Sequence, residues 1–160
     1  MSPFFFAFHT FFCYNKIKKE LKNKLTEPYF EWSEENGMAL CIIYEGDKLY
    51  YGTAMCSIED KDMQSEKVGC EIALARARIN YFQGKKAECR IKIEGLKHFK
   101  STLSSNIDKD DYIYKRLLKE IKNLQDKIIY YCCKIDFEKS RLREYINDKE
   151  QFYQYLRRRR

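Results

Sequence analysis

The chain has 160 residues, of which 44% are hydrophobic and 16% aromatic, with six glycines and two prolines. So many aromatics exclude disorder over most of the length, and so few breakers exclude a loop-rich fold. The length fits one domain, or one small domain with a helical extension. A formal charge of +7 permits an acidic partner without demanding one.

The first segment carries Phe4, Phe5, Phe6, Phe8, Phe11 and Phe12. No basic residue precedes the run, His9 and Thr10 interrupt it, and no small-residue cleavage site follows, so it does not read as a signal peptide. It is also too short to span a bilayer. It reads instead as an amphipathic helix from Phe5 to Leu25 whose aromatics pack on the rest of the fold.

Residues 28 to 56 read as a three-stranded meander. Tyr29 to Trp32 is a short aromatic strand, followed by a turn from Ser33 to Gly37. Met38 to Tyr44 is an apolar strand, Glu45-Gly46-Asp47 a second turn, and Lys48 to Cys56 a third strand. Three strands alone are marginal and need a helix across one face. Residues 57 to 64 form an acidic loop holding Glu59, Asp60 and Asp62. Ser65 is placed to cap the next helix, with Glu66 suited to its positive end.

From Val68, steps of four and three give Ile72, Ala75, Ile79, Phe82, Lys86, Cys89, Ile93, Leu96, Lys100 and Leu103, where only the two lysines are polar. From Tyr114, the same stepping gives Leu117, Ile121, Leu124, Ile128, Tyr131, Ile135, Glu138, Leu142, Tyr145, Lys149, Phe152 and Leu156, where only Glu138 and Lys149 are polar. A repeat held this long is the seam of a coiled-coil-like pair, and strands cannot produce it. Ser104 to Asp108 is a break, so the seams face each other in a long antiparallel helical hairpin. Gly84 and Gly95 lie off the first seam, at a cost of ~1 kcal/mol each relative to Ala. The expected fold is α+β, with residues 1–64 as N-terminal helix plus meander and 65–160 as the helical hairpin, in one structural unit.

Two further faces stand out. Ala73, Leu74, Ala77 and Tyr81 give the first long helix a second apolar side, and the small residues at 73 and 77 suit close approach to the sheet. On the second helix Leu118, Cys132, Ile146 and Tyr153 widen the seam. Ile129, Tyr130, Cys133 and Phe137 fall on its opposite side and need a cover: the N-terminal aromatic helix, a second copy, or a foreign partner.

No catalytic constellation is legible. His9 and His98 lie in unrelated segments without a nucleophile at a recognisable spacing, and no glycine-rich phosphate loop is present. Glu59, Asp60, Asp62 and Glu66 lack the glycine and ligand spacing of an EF-hand and read as a solvated acidic turn. The seven cysteines (13, 41, 56, 70, 89, 132 and 133) have neither zinc spacing nor a disulfide framework, so reduced thiols in a cytoplasmic setting are expected. No enzyme activity, metal or cofactor is expected. Arg76, Arg78, Lys85, Lys86, Arg90, Lys92 and Lys97 flank the first long helix as a basic stripe, and Arg157, Arg158, Arg159 and Arg160 form a basic tail. Both suit nucleic acid or an acidic protein, although alternating signs on the second helix also fit wet helix edges.

The order helix, three strands, helix over residues 5 to 83 is similar to the double-stranded-RNA-binding fold. That family grips phosphates with lysines at the start of its last helix, where this chain has Glu59, Asp60, Lys61 and Asp62, a repelling set. A second string resembles small accessory proteins carried by phages of AT-rich Firmicutes. It runs Tyr51-Gly52-Thr53-Ala54, Cys56, Glu59, Asp60, Asp62, Ser65, Glu66, Gly69, Ile72, Ala73, Arg76 and Ala77. This resemblance implies a non-enzymatic viral protein, acting in the cytoplasm of an infected bacterium. It would occupy a host protein or protein–nucleic-acid complex, such as a defence nuclease, in the manner of anti-CRISPR proteins. A nucleic-acid binder using the basic stripe and a structural homodimer are the alternatives. No membrane partner is expected.

Overall fold

The computed structural model describes residues 27–56, 65–103 and 112–157, with side chains described through residue 147. The expected N-terminal helix, the acidic turn Glu59, Asp60 and Asp62, and Arg158, Arg159 and Arg160 lie outside the described residues.

The meander forms where the apolar runs and the turn residues between them predict it. β1 (Tyr29–Ser33), β2 (Met38–Glu45) and β3 (Lys48–Met55) pair antiparallel in the order β1-β2-β3. Cys41 stands between Phe30 and Gly52, and Ile42 between Tyr29 and Tyr51. Gly37 and Gly46 supply the positive φ values, 56° and 58°, that the two turns require. Gly46 opens the two-residue β2–β3 connection, where its φ matches the hand of the flanking strands. The first turn is tied to the third strand by the Cys56 amide, which donates to the Gly37 carbonyl at 2.9 Å.

α1 (Glu66–Leu103) and α2 (Tyr112–Arg157) run for 38 and 46 residues. Ser65 caps α1 as its position predicts, its hydroxyl accepting from the Val68 amide at 3.4 Å. α1 continues as helix through Gly84, and the Tyr50 ring lies where a Cβ there would stand. The glycine thus makes room for a β3 side chain. α2 starts at Tyr112, two residues before the apolar repeat, because helix geometry does not need a seam residue in its first turn.

α1 is sandwiched, and its two apolar sides serve two cores. Ala73 and Ala77 are fully buried with Ala39, Cys41 and Ala54 of the sheet, and Trp32, Ile43 and Leu74 close around them. The approach is very close: a Cβ on Gly52 would overlap the Ala73 carbonyl and the Ala77 amide. On the other side Cys89 and Ile93 pack with Leu117, Ile121 and Leu124 of α2. Phe82 meets Tyr131, Lys100 meets Tyr114 and Glu71 meets Tyr145, so partners fall along α2 as they rise along α1. The helices therefore run antiparallel. Every described seam position is buried or half-buried, Lys86, Lys100 and Glu138 included.

Candidate partner-binding surface

The basic stripe predicted on α1 is largely engaged by the fold itself. Arg76 donates to the Thr53 carbonyl at 2.5 Å and Asn80 to the Tyr51 carbonyl at 2.7 Å. Both carbonyls belong to β3, an outer strand of the sheet, so these side chains satisfy acceptors an edge would otherwise leave open. Arg78 pairs with Glu138 at 3.4 Å, and Lys97 with Glu94 at 3.0 Å. Lys86 is half-buried at a seam position, while Arg90 and Lys92 are exposed. The structure thus divides the stripe among several tasks, and sequence reasoning missed this because charge count does not show pairing.

Lys85 belongs to a network at the β2–β3 turn. Its ammonium pairs with Glu45 and lies 3.6 Å from Glu88, which also pairs with Lys48. Tyr81 donates to Glu45 at 3.2 Å. The Glu45 hydrogen bond raises the Lys85 pKa, opposed by partial burial, and the Lys48 hydrogen bond lowers that of Glu88. Burial, then the Glu45 charge, pushes the Tyr81 hydroxyl up. A signal for this was available. Steps of four from Ala73 through Ala77 and Tyr81 reach Lys85, so it continues the face turned to the sheet.

A second network sits in the α1–α2 seam. Glu138 is 5% exposed. It accepts from Arg78 and Arg141, each at 3.4 Å. Arg141 also donates to Glu71 and to the Tyr145 hydroxyl, at 3.4 and 3.3 Å. Glu138 interrupts the apolar repeat, and a charge at a core register position is the sequence mark of such a network.

The candidate surface is the back of α2. Ile129 and Phe137 are 62% and 59% exposed, and Tyr130 and Cys133 are exposed as well. Residues 129, 133 and 137 recur every four positions and form one stripe about 12 Å long, directly opposite the seam. Single exposed apolar residues are ordinary, but a contiguous group marks an interaction surface. Lys134 lies 5.4 Å from the Tyr130 ring, and exposed Lys122, Asp126, Asp136 and Glu144 surround the stripe with charges of both signs. An apolar centre with a polar rim is the usual build of a protein interface. A chain of ring contacts, Tyr50 to Tyr81 to Phe82 to Tyr131 to Tyr130, links the stripe to the sheet. Phe99, Tyr112 and Ile113 are also exposed, but they adjoin residues 104–111, which are not described.

Among the described residues no three His, Cys, Asp or Glu side chains converge as a metal site would require. The six described cysteines are free thiols. Burial pushes Cys41 up to about 12, with Arg78 pulling it partly back. No described helix is long and apolar enough to cross a membrane. Comparison with protein-family models, with curated proteins and with solved structures finds no match.

Proposed function

We propose that this is a non-catalytic phage accessory protein that occupies a surface of a host macromolecule, a defence nuclease or effector, in the cytoplasm of an infected bacterium. The observation that carries the reading is the exposed stripe Ile129, Tyr130, Cys133 and Phe137 on a helix whose seam side packs against α1. The helix pair acts as a rigid arm that presents this stripe. Its heptad seams support a left-handed coiled-coil hairpin. Exposed Arg90 and Lys92 offer cationic contacts to an acidic rim on the partner, as would Arg157 to Arg160, while the acidic turn Glu59, Asp60 and Asp62 would suit a basic one.

The engagement of Arg76, Arg78, Lys85 and Lys97 within the fold favours a protein partner over direct nucleic-acid binding. The test is a pull-down from bacterial lysate with the wild type and with Ile129→Glu/Phe137→Glu, each with and without nuclease treatment. A partner retained after nuclease treatment and lost by the double variant supports the reading. A partner retained equally by both proteins refutes it. Gel shifts at two salt concentrations separate the nucleic-acid alternative, whose affinity would fall steeply with salt. Sedimentation of the same two proteins reports on a homodimer through the stripe.

A further inference from the structure

α1 covers one face of the sheet only. Ala39 and Cys41 of β2 pack against Ala73 and Ala77, so strand alternation turns Leu40, Ile42 and Tyr44 to the opposite face. α1 is the only described helix that touches the sheet; α2 makes no contact with it. Yet Ile42 is only 5% exposed, as hidden as a residue of the α1–α2 core. The concealment is uneven. On the same outer face Tyr51 and Met55 of β3 are 56% and 74% exposed. Whatever covers this face therefore lies over β2 at Ile42, away from the far half of β3.

The chain itself enters at that place. Tyr29, the first residue of β1, stands directly beside Ile42 in the sheet register, so the described chain begins next to the covered residue. Their sequence suits the task. Phe11, Tyr14, Ile17, Leu21 and Leu25 recur at spacings of three and four, interrupted only by Lys18, while Lys16, Lys19, Glu20 and Asn23 fall opposite. A helix over residues 5–25 would be about 30 Å long, against about 26 Å for the eight residues of β2. We propose that the outer face of the sheet is the docking site of the chain's own N-terminal segment, which lays this apolar stripe along Leu40, Ile42 and Tyr44. The sheet is then a middle layer between that segment and α1. The segment is thereby committed to the sheet, and the back of α2 keeps its open stripe.

Trypsin reads the arrangement in the full-length protein, because Lys16, Lys19, Lys22 and Lys24 lie within the segment. Two variants release it from opposite sides: Ile42→Asp on the sheet, and Ile17→Ser/Leu21→Ser on the segment, which leaves the sheet unaltered. Cleavage at these lysines should be about tenfold or more faster in either variant than in the wild type, because docking restricts the opening that proteolysis needs. Far-UV circular dichroism should show α1 and α2 still formed in the segment variant. Equal cleavage rates in the wild type and the segment variant overturn the proposal. So does a wild-type mass of two chains that falls to one in Ile42→Asp while cleavage in the segment is unchanged, an outcome that assigns the face to a second copy.

Discussion

Replacing Gly52 by alanine tests the closest contact in the molecule. The added methyl would meet the Ala73 carbonyl, the Ala77 amide and, at 2.8 Å, the Arg76 Cβ. The first two are main-chain atoms of α1, so no rotamer change relieves them; strand and helix must separate. Separation loosens the fully buried contacts of Ala39, Cys41, Ala73 and Ala77 together. Overpacking of this kind costs about 1–3 kcal/mol, and a backbone obstruction belongs at the upper end. Against it stands the entropic benefit of alanine over glycine in a strand, roughly 0.5–1 kcal/mol. The net expectation is a loss of about 2 kcal/mol, which for a chain of this size lowers Tm by roughly 4–8 °C. Thermal unfolding followed by far-UV circular dichroism measures it. Gly95→Ala is the matched control, since nothing lies within 4 Å of a Cβ at that exposed helical position. It should gain about 0.5–1 kcal/mol from helix propensity alone. If Gly52→Ala raised Tm as Gly95→Ala does, the close approach of β3 to α1 would be wrong.

Glu138→Leu should cost about 1 kcal/mol, because it fills the volume but takes the shared acceptor from the partly exposed Arg78 and Arg141. Glu138→Ala should cost about 1–3 kcal/mol through the cavity and the unpaired arginines, and denaturant melts of the two variants give the comparison. Cys41 is raised when folded, so the native state holds its proton more tightly than the unfolded chain does. Its stabilising contribution is complete below the unfolded value near 9 and is lost as pH climbs toward about 12. Between pH 9 and 10 the wild type should lose up to about 1 kcal/mol more than Cys41→Ala, and equal losses in denaturant melts would refute the burial argument. In native protein an alkylating reagent should modify exposed Cys133 well before buried Cys41 and Cys89, as peptide mass mapping would show. Ile129→Glu/Phe137→Glu should change Tm by less than about 2 °C, because both side chains are already largely in water.

Periodicity carried the greater part of the fold. The unbroken apolar run Met38 to Tyr44 and the step of seven through Val68 and Tyr114 each report burial, and burial is what a hydrophobic pattern encodes. The small pair Ala73 and Ala77 also foretold the sheet contact, because only small side chains let a helix backbone rest on a strand. The partner of that pair, Gly52, was legible only as part of a strand. Its role depends on register, which sets Cys41 opposite it and so turns it toward α1. The charged residues were least legible. Arg76, Arg78 and Lys85 are three basic residues on one helix, and nothing local says that one will bind a strand-edge carbonyl, one a buried glutamate and one the β2–β3 turn. Those destinations lie 23, 60 and 40 residues away in sequence.

α1 has a side for the sheet and a side for α2, and its charged flanks fasten both. α2 has one side for α1, and its back carries isoleucine and phenylalanine in water. At that position lysine or glutamate would serve the helix equally well and would keep the surface from associating. Folding alone gives no reason for Ile129 and Phe137, since their exposure leaves the burial term nearly unrealised. Residues that the fold does not need, placed at the spacing of one helical stripe, are the ground for the proposed partner-binding role.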